Sequence, residues 1–170
     1  MDLVLAYGFH WELAEILSRF GGARERGPPG APWYRPGAGR DAEATTVVGL
    51  GIDLMELDRV AQAQARWGDR FVRKLMDPAE ASRLPDEEPG RSRALALAIA
   101  AKEAASKANG TGWTRGVRWR DVEVFLEEPP RVVLHAAAAD RARRLGSPGA
   151  TRTRLEIRDG LALGEVWLLS

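Results

Sequence analysis

The chain contains no cysteine, which removes disulfide frameworks and thiol chemistry together and fits a reducing, cytoplasmic setting. Its two histidines, His10 and His135, stand far apart in the sequence, so a zinc centre built on Cys and His is not expected. No apolar run approaches the roughly 20 residues that a membrane-spanning helix needs. Twenty-five Lys and Arg against 24 Asp and Glu leave a net charge of +1. No global field therefore attracts nucleic acid or an anionic membrane, and neither is expected as a partner; electrostatic recognition has to come from local patches. A dinucleotide fingerprint is missing too, because Gly49 and Gly51 are followed by Leu54 where a third glycine belongs. What remains is 170 residues, 45% of them hydrophobic, enough for one domain with a sizeable core.

Residues 1–46 read as an appendage. Leu13, Ile16, Leu17 and Phe20 follow Phe9 and Trp11 at helical spacing, which predicts a short amphipathic helix over about 10–20, stopped by Gly21 and Gly22. The next stretch, ARERGPPGAPWYRPGAGRDAEA, is rich in Pro, Gly and Arg and reads as a linker with little to bury. The segment lacks the basic start and continuous apolar core of a secretory signal. A start at Val47 or Val48 is the alternative to a working appendage.

Two stretches carry chemistry. The first, VVGLGIDLME over 47–56, opens with β-branched residues and predicts a buried strand that ends where Gly49 and Gly51 let the backbone turn. Asp53 then stands at its exit, where a carboxylate suits a hard cation; equally, the stretch is a core strand followed by an aspartate that caps a helix. The second, LALAIAAKEAASKANGTG over 95–112, has the alanine density of a helix and a stop at Asn109, Gly110 and Gly112. Glu103 and Lys107 are four apart and share a helical face, either as a site or as a surface ion pair.

Around these, 56–75 reads as helix with Val60, Ala63, Trp67 and Phe71 on an apolar stripe and a break at Gly68. Arg59, Arg66, Arg70 and Arg73 form a second, basic stripe, which by itself is an ordinary solvated face. Asp77 and Pro78 start a short helix ending near Pro85, and DEEPGRSR reads as a loop with Arg91 and Arg93 at its far end. Strands are predicted over 121–126 and 132–135, punctuated by Pro129 and Pro130. A helix over 136–145 stops at Gly146, and 151–157 with 161–168 form a hairpin around Arg158, Asp159 and Gly160. Mixed strands and helices without a βαβ repeat argue an α+β fold.

The joint pattern GIDLMELDR and then KEAASKANGTG resembles the holo-acyl-carrier-protein synthases, the short class of 4′-phosphopantetheinyl transferases. The resemblance covers 47–170 and implies that family's fold, assembled as a homotrimer with active sites between neighbours. It implies transfer of the 4′-phosphopantetheine arm of coenzyme A to a serine of an apo acyl carrier protein of fatty-acid or polyketide synthesis, with 3′,5′-ADP leaving. Asp53 and Glu103 are then expected to hold Mg²⁺, Glu103 to orient or deprotonate the serine, and Lys107 to face the phosphates. Gly110, Thr111 and Gly112 let the nucleotide approach the main chain, and the stripe of Arg59, Arg66, Arg70 and Arg73 docks the acidic carrier.

Some positions depart from the family. Ala98 stands where an arginine is common and Ile99 where a phenylalanine is; Arg91 or Arg93 is the expected substitute for that arginine on the coenzyme. Glu128, Pro129 and Pro130 replace a Gly-Lys-Pro, and 156–159 replace a serine-histidine run. These changes leave a second reading open, a catalytically weak member of the same fold acting as a carrier-binding or structural module.

Overall fold

The computed structural model describes residues 45–170, and the expected helix over 10–20 and most of the linker lie outside the described residues. Strand β1 (Val47–Glu56) is followed by helices α1 (Leu57–Trp67), α2 (Asp69–Leu75), α3 (Pro78–Ala81) and α4 (Gly90–Ala108). A 3₁₀ turn (Trp119–Asp121), strands β2 (Val122–Phe125) and β3 (Arg131–Leu134), helix α5 (Ala136–Arg144) and the hairpin β4 (Ala150–Arg158), β5 (Leu161–Leu169) complete it. β1, β5 and β4 form one antiparallel sheet in the order β1-β5-β4, while β2 and β3 pair separately. The α+β class read from the sequence is the observed one. Among the described residues, no helix is long and apolar enough to cross a membrane.

Helix α4 is the core. Leu95, Ala96, Ala100, Ala101 and Ala104 are wholly buried along it, and a helix apolar on nearly every side has to lie inside. It rests on one face of the three-stranded sheet so closely that only glycine fits beneath it. A Cβ on Gly51 would stand 1.9 Å from the Ala104 carbonyl oxygen, one on Gly49 2.2 Å from that of Ala108, and one on Gly164 2.6 Å from that of Ala100. This corrects the sequence reading of Gly49 and Gly51 as the turn that ends the strand. β1 continues to Glu56, and the glycines sit in the contact between sheet and helix. Asp53 accordingly lies within the strand, opposite Gly164, and not at its exit.

The helical hairpin over 57–75 breaks at Gly68, whose φ of 50° a side-chain-bearing residue resists. Val60, Val72 and Leu75 reach the core, but Trp67, the last residue of α1, is 48% exposed and leaves the apolar stripe. Its ring meets Phe71 at 6.4 Å between centroids. Asp77 caps α3 by accepting from the Glu80 amide at 2.9 Å, and the helix ends at Ala81, short of Pro85. Arg91 and Arg93 are not in a loop, as read from DEEPGRSR, but in the first turn of α4. The Glu88 carboxylate accepts from the Ser92 amide at 3.1 Å and so starts the helix early. In the last hairpin, Asp159 and Gly160 have φ of 50° and 78°, the pair of left-handed residues that a two-residue turn demands.

Candidate active site

β1 and α4 bring the expected acidic and basic groups together. Asp53 shares the α4-facing side of β1 with Gly49 and Gly51, because strand side chains alternate. Lys107, in the last turn of α4, donates from Nζ to Asp53 Oδ1 at 2.7 Å and to the Ile52 carbonyl at 3.0 Å. Glu103, one turn earlier, is near enough to both that their charges act on it. Burial pushes the Asp53 carboxyl above the usual range, opposed by the Lys107 hydrogen bond and charge. Burial also pushes Glu103 up. The Trp113 indole N–H draws it partly back, although no hydrogen bond of regular geometry joins the two. The negative charge of Asp53 raises it further and Lys107 opposes.

Two partly buried carboxylates, the charge of Asp53 raising the proton affinity of Glu103, are a donor set suited to a divalent cation. Among the described residues no group of three or more Asp, Glu or His is arranged to hold a metal ion. That donor count fits magnesium, which is commonly held by one or two carboxylates with waters and substrate phosphates completing its octahedron.

The other sequence candidates fall into three places. Gly110, Thr111 and Gly112 follow directly on α4, with φ of 65° at Gly110 and 54° at Gly112, so the loop turns in conformations that suit glycine. Arg93 is exposed ten residues before Glu103, about 15 Å along the helix, and is not brought to the Asp53 cluster. Arg91 is held elsewhere, donating to the Pro85 carbonyl at 3.0 Å. Arg59, Arg66, Arg70 and Arg73 are all exposed along α1 and α2, with the Arg66 guanidinium over the Trp67 ring at 5.1 Å. Ala98 is buried and borders a void of about 30 Å³ beside Met76, Glu80, Arg83 and Val124. Arg83 therefore occupies the neighbourhood of the missing arginine.

Two features were not anticipated. Lys102, wholly buried, donates to Glu80 Oε2 at 2.8 Å, to the Trp119 carbonyl at 3.2 Å and to the Val122 carbonyl. This pair pins α3, α4 and β2 together beside Glu103; a lysine in an alanine-rich buried helix was its one sequence signal. Trp113 stacks on Trp119 at 4.1 Å and 18°, which fixes the indole next to Glu103.

This geometry sits within a region, residues 49–152, that matches the model of the 4′-phosphopantetheinyl transferase superfamily. The chain belongs to that superfamily. The holo-[acyl-carrier-protein] synthase of Nitratidesulfovibrio vulgaris is 44% identical over 116 residues, 67% of this chain and 90% of that one. The chain is thus a phosphopantetheinyl transferase of the synthase type. Crystal structures of synthases share its fold. That from Neisseria meningitidis superposes with a TM-score of 0.61 at 22% identity, covering 72% of this chain and 98% of the other. That from Bacillus anthracis, in complex with coenzyme A (3′,5′-ADP), gives 0.56 at 26% identity over 73% and 97%.

Proposed function

We propose that the enzyme transfers the 4′-phosphopantetheine arm of coenzyme A to a serine of an apo acyl carrier protein, of fatty-acid or polyketide synthesis, in the cytoplasm. The observation that carries this reading is the meeting of Asp53, Glu103 and Lys107 between β1 and α4. In the reaction the serine oxygen forms a bond to the β-phosphorus, the bond from that phosphorus to the bridging oxygen breaks, and 3′,5′-ADP leaves with the electron pair. Asp53 and Glu103 would hold Mg²⁺, which when bound supplies charge neutralisation at the pyrophosphate. Glu103, its proton affinity raised by burial, would orient the serine and accept its proton through a bound water. Lys107 carries a positive charge to the same place, where it stabilises the departing phosphate oxygen. Gly110, Thr111 and Gly112 admit the nucleotide next to Lys107, and Arg93 is left to reach a more distant part of the coenzyme. The test is to mix protein, magnesium, coenzyme A and an apo carrier and look for the added mass of the arm. No mass gain with any apo carrier, in magnesium, would turn the reading to the carrier-binding module.

The assembly we propose is a homotrimer. The sheet face turned away from α4 carries Leu50, Ile52 and Leu54 of β1 beside Leu163, Glu165 and Trp167 of β5, and Leu50 is 52% exposed. Arg152, Arg154 and Glu156 of β4 edge it. An exposed row of leucine and isoleucine on β1, with Trp167 beside it and the Glu165–Arg154 pair at 3.4 Å next to it, is the kind of mixed surface that subunits cover. The basic stripe on α1 and α2 is the proposed landing place of the acidic carrier.

A further inference from the structure

The end of α4 has a second side. Lys107 reaches back to β1, whereas Asn109 and Gly110 meet helix α5. Asn109 Nδ2 donates to the Ala138 carbonyl at 3.2 Å, and Arg141 Nε donates to the Asn109 carbonyl at 3.0 Å. Between this loop and α5 lies a cleft of about 260 Å³ lined by Thr111, Arg115, Val117, Ala137, Arg141 and Arg144. Three guanidinium-bearing side chains border it and no carboxylate does. Arg115 and Arg144 are exposed, and neither has an ion pair among the described residues. Arg115 is held with φ of 55°, a conformation costly for a residue with a side chain. The Thr111 hydroxyl is buried without a hydrogen-bond partner among the described residues.

Part of this charge has a local use. Arg141 answers the carbonyl end of α4, and Arg144 lies in the last turn of α5, where cations complement the helix dipole. That accounts for one side of each and leaves the convergence with Arg115, from a separate loop, unexplained. Guanidinium groups are the donors best matched to phosphate oxygens, which they engage in pairs. We propose that the cleft is a binding site for a phosphate dianion, with Arg115, Arg141 and Arg144 as its donors. The dianion is either free phosphate or a phosphate monoester on coenzyme A; the second source rests on the transfer reading above, and the first does not.

The experiment titrates inorganic phosphate into the full chain by calorimetry at low ionic strength. The expected result is one saturable site that the double substitution Arg115→Gln with Arg144→Gln weakens at least ~10-fold. Both positions are at the surface, and Arg141, which holds the end of α4, is left in place. A control, Lys74→Gln with Arg131→Gln, removes the same two charges elsewhere and should keep wild-type binding. Adding coenzyme A or 3′-dephospho-coenzyme A then separates the sources. Displacement of phosphate by the first alone assigns the site to the coenzyme, and displacement by neither assigns it to free phosphate. Displacement by both would move the titrated site to the pyrophosphate region and overturn the proposal. So would undiminished binding in the Arg115/Arg144 variant, or no saturable binding by the wild type up to ~10 mM.

Discussion

Lys107 Nζ lies 2.7 Å from Asp53 Oδ1, a bond that crosses from the last turn of α4 to the middle of β1. Lys107 is half exposed and Asp53 largely covered. The cation is therefore within reach of a ligand while its partner carboxylate is held rigidly beneath the helix. Glu103, a turn back, completes a cluster placed by the same two elements whose backbones touch at Gly51 and Ala104. The site and the tightest packing in the fold are one construction.

Removing either carboxylate should abolish transfer without unfolding the chain. Asp53→Ala and Glu103→Ala are each expected to lower the rate by at least ~100-fold. Stability should move the other way for Glu103→Gln. Glu103 has a folded-state pKa raised by burial, so its folded state favours the protonated form. The stability this group contributes is present below the unfolded pKa and lost as pH rises through the folded one. Glutamine does not ionise, so Glu103→Gln should melt higher than wild type at neutral pH and lose that advantage in acid. Thermal midpoints across about pH 4 to 8 read this out, and a variant that melts lower at neutral pH would show that the carboxylate is not held at a cost.

The buried pair Lys102–Glu80 should be the most sensitive polar contact in the domain. Burial pushes Lys102 down and Glu80 up, toward their neutral forms, and the ion pair opposes both. Lys102→Met leaves Glu80 enclosed and its charge uncompensated, which typically costs about 3–5 kcal/mol. Lys102→Met with Glu80→Leu removes both charges and should recover most of that in chemical denaturation. Equal destabilisation by the single and double variants would place the cost in packing instead.

How much was legible follows from which interactions are local. The helical spacing of Glu103 and Lys107, the break at Gly68 and the turn at Asp159 and Gly160 all depend on neighbours in the chain, and the sequence showed them. Gly49 and Gly51 were read as a local turn because their real constraint, the backbone of α4 some fifty residues on, has no local signature. The exposure of Trp67 follows from its place at the end of α1, before Gly68, which spacing alone did not reveal. Lys102 and Glu80 are separated by 22 residues, and only the folded helix shows them facing each other. Arg115, Arg141 and Arg144 likewise come from two elements that meet only in the fold.

The arginine stripe should govern encounter with the carrier. Arg59→Glu with Arg70→Glu is expected to slow association about tenfold or more at low salt while coenzyme A affinity stays unchanged, and the wild-type rate should fall as salt rises. Stopped-flow association with an apo carrier decides it; an unchanged rate returns the stripe to a solvated face.

Covering the outer sheet face should hold the subunits together. Leu50→Asp puts a charge on the apolar row of that face, where burial against a neighbour would be strongly unfavourable, yet in the separate subunit the side chain is already half exposed. Light scattering is expected to find a trimer for the wild type and a smaller species for the variant, with far-ultraviolet circular dichroism unchanged. A wild type that is monomeric and fully active would remove the trimer from the account.

A chain beginning at Thr46 should keep both assembly and transfer. The folded domain closes on itself at this point: the Ser170 amide donates to the Thr46 carbonyl at 2.9 Å, and the Thr46 amide donates to Ser170 Oγ at 3.2 Å. Both bonds survive in the shortened chain, since a terminal ammonium still donates. β1 retains its full pairing with β5 and its contact with α4. The groups proposed for chemistry, from Asp53 to Thr111, lie beyond the cut, and so does every arginine of the phosphate cleft. The truncated protein is therefore expected to show the same oligomer by light scattering, a thermal midpoint within ~3 °C of the full chain and a transfer rate within ~2-fold. A midpoint lower by ten degrees or more, or loss of the oligomer, would place residues before Thr46 in the folded core and move the domain boundary upstream.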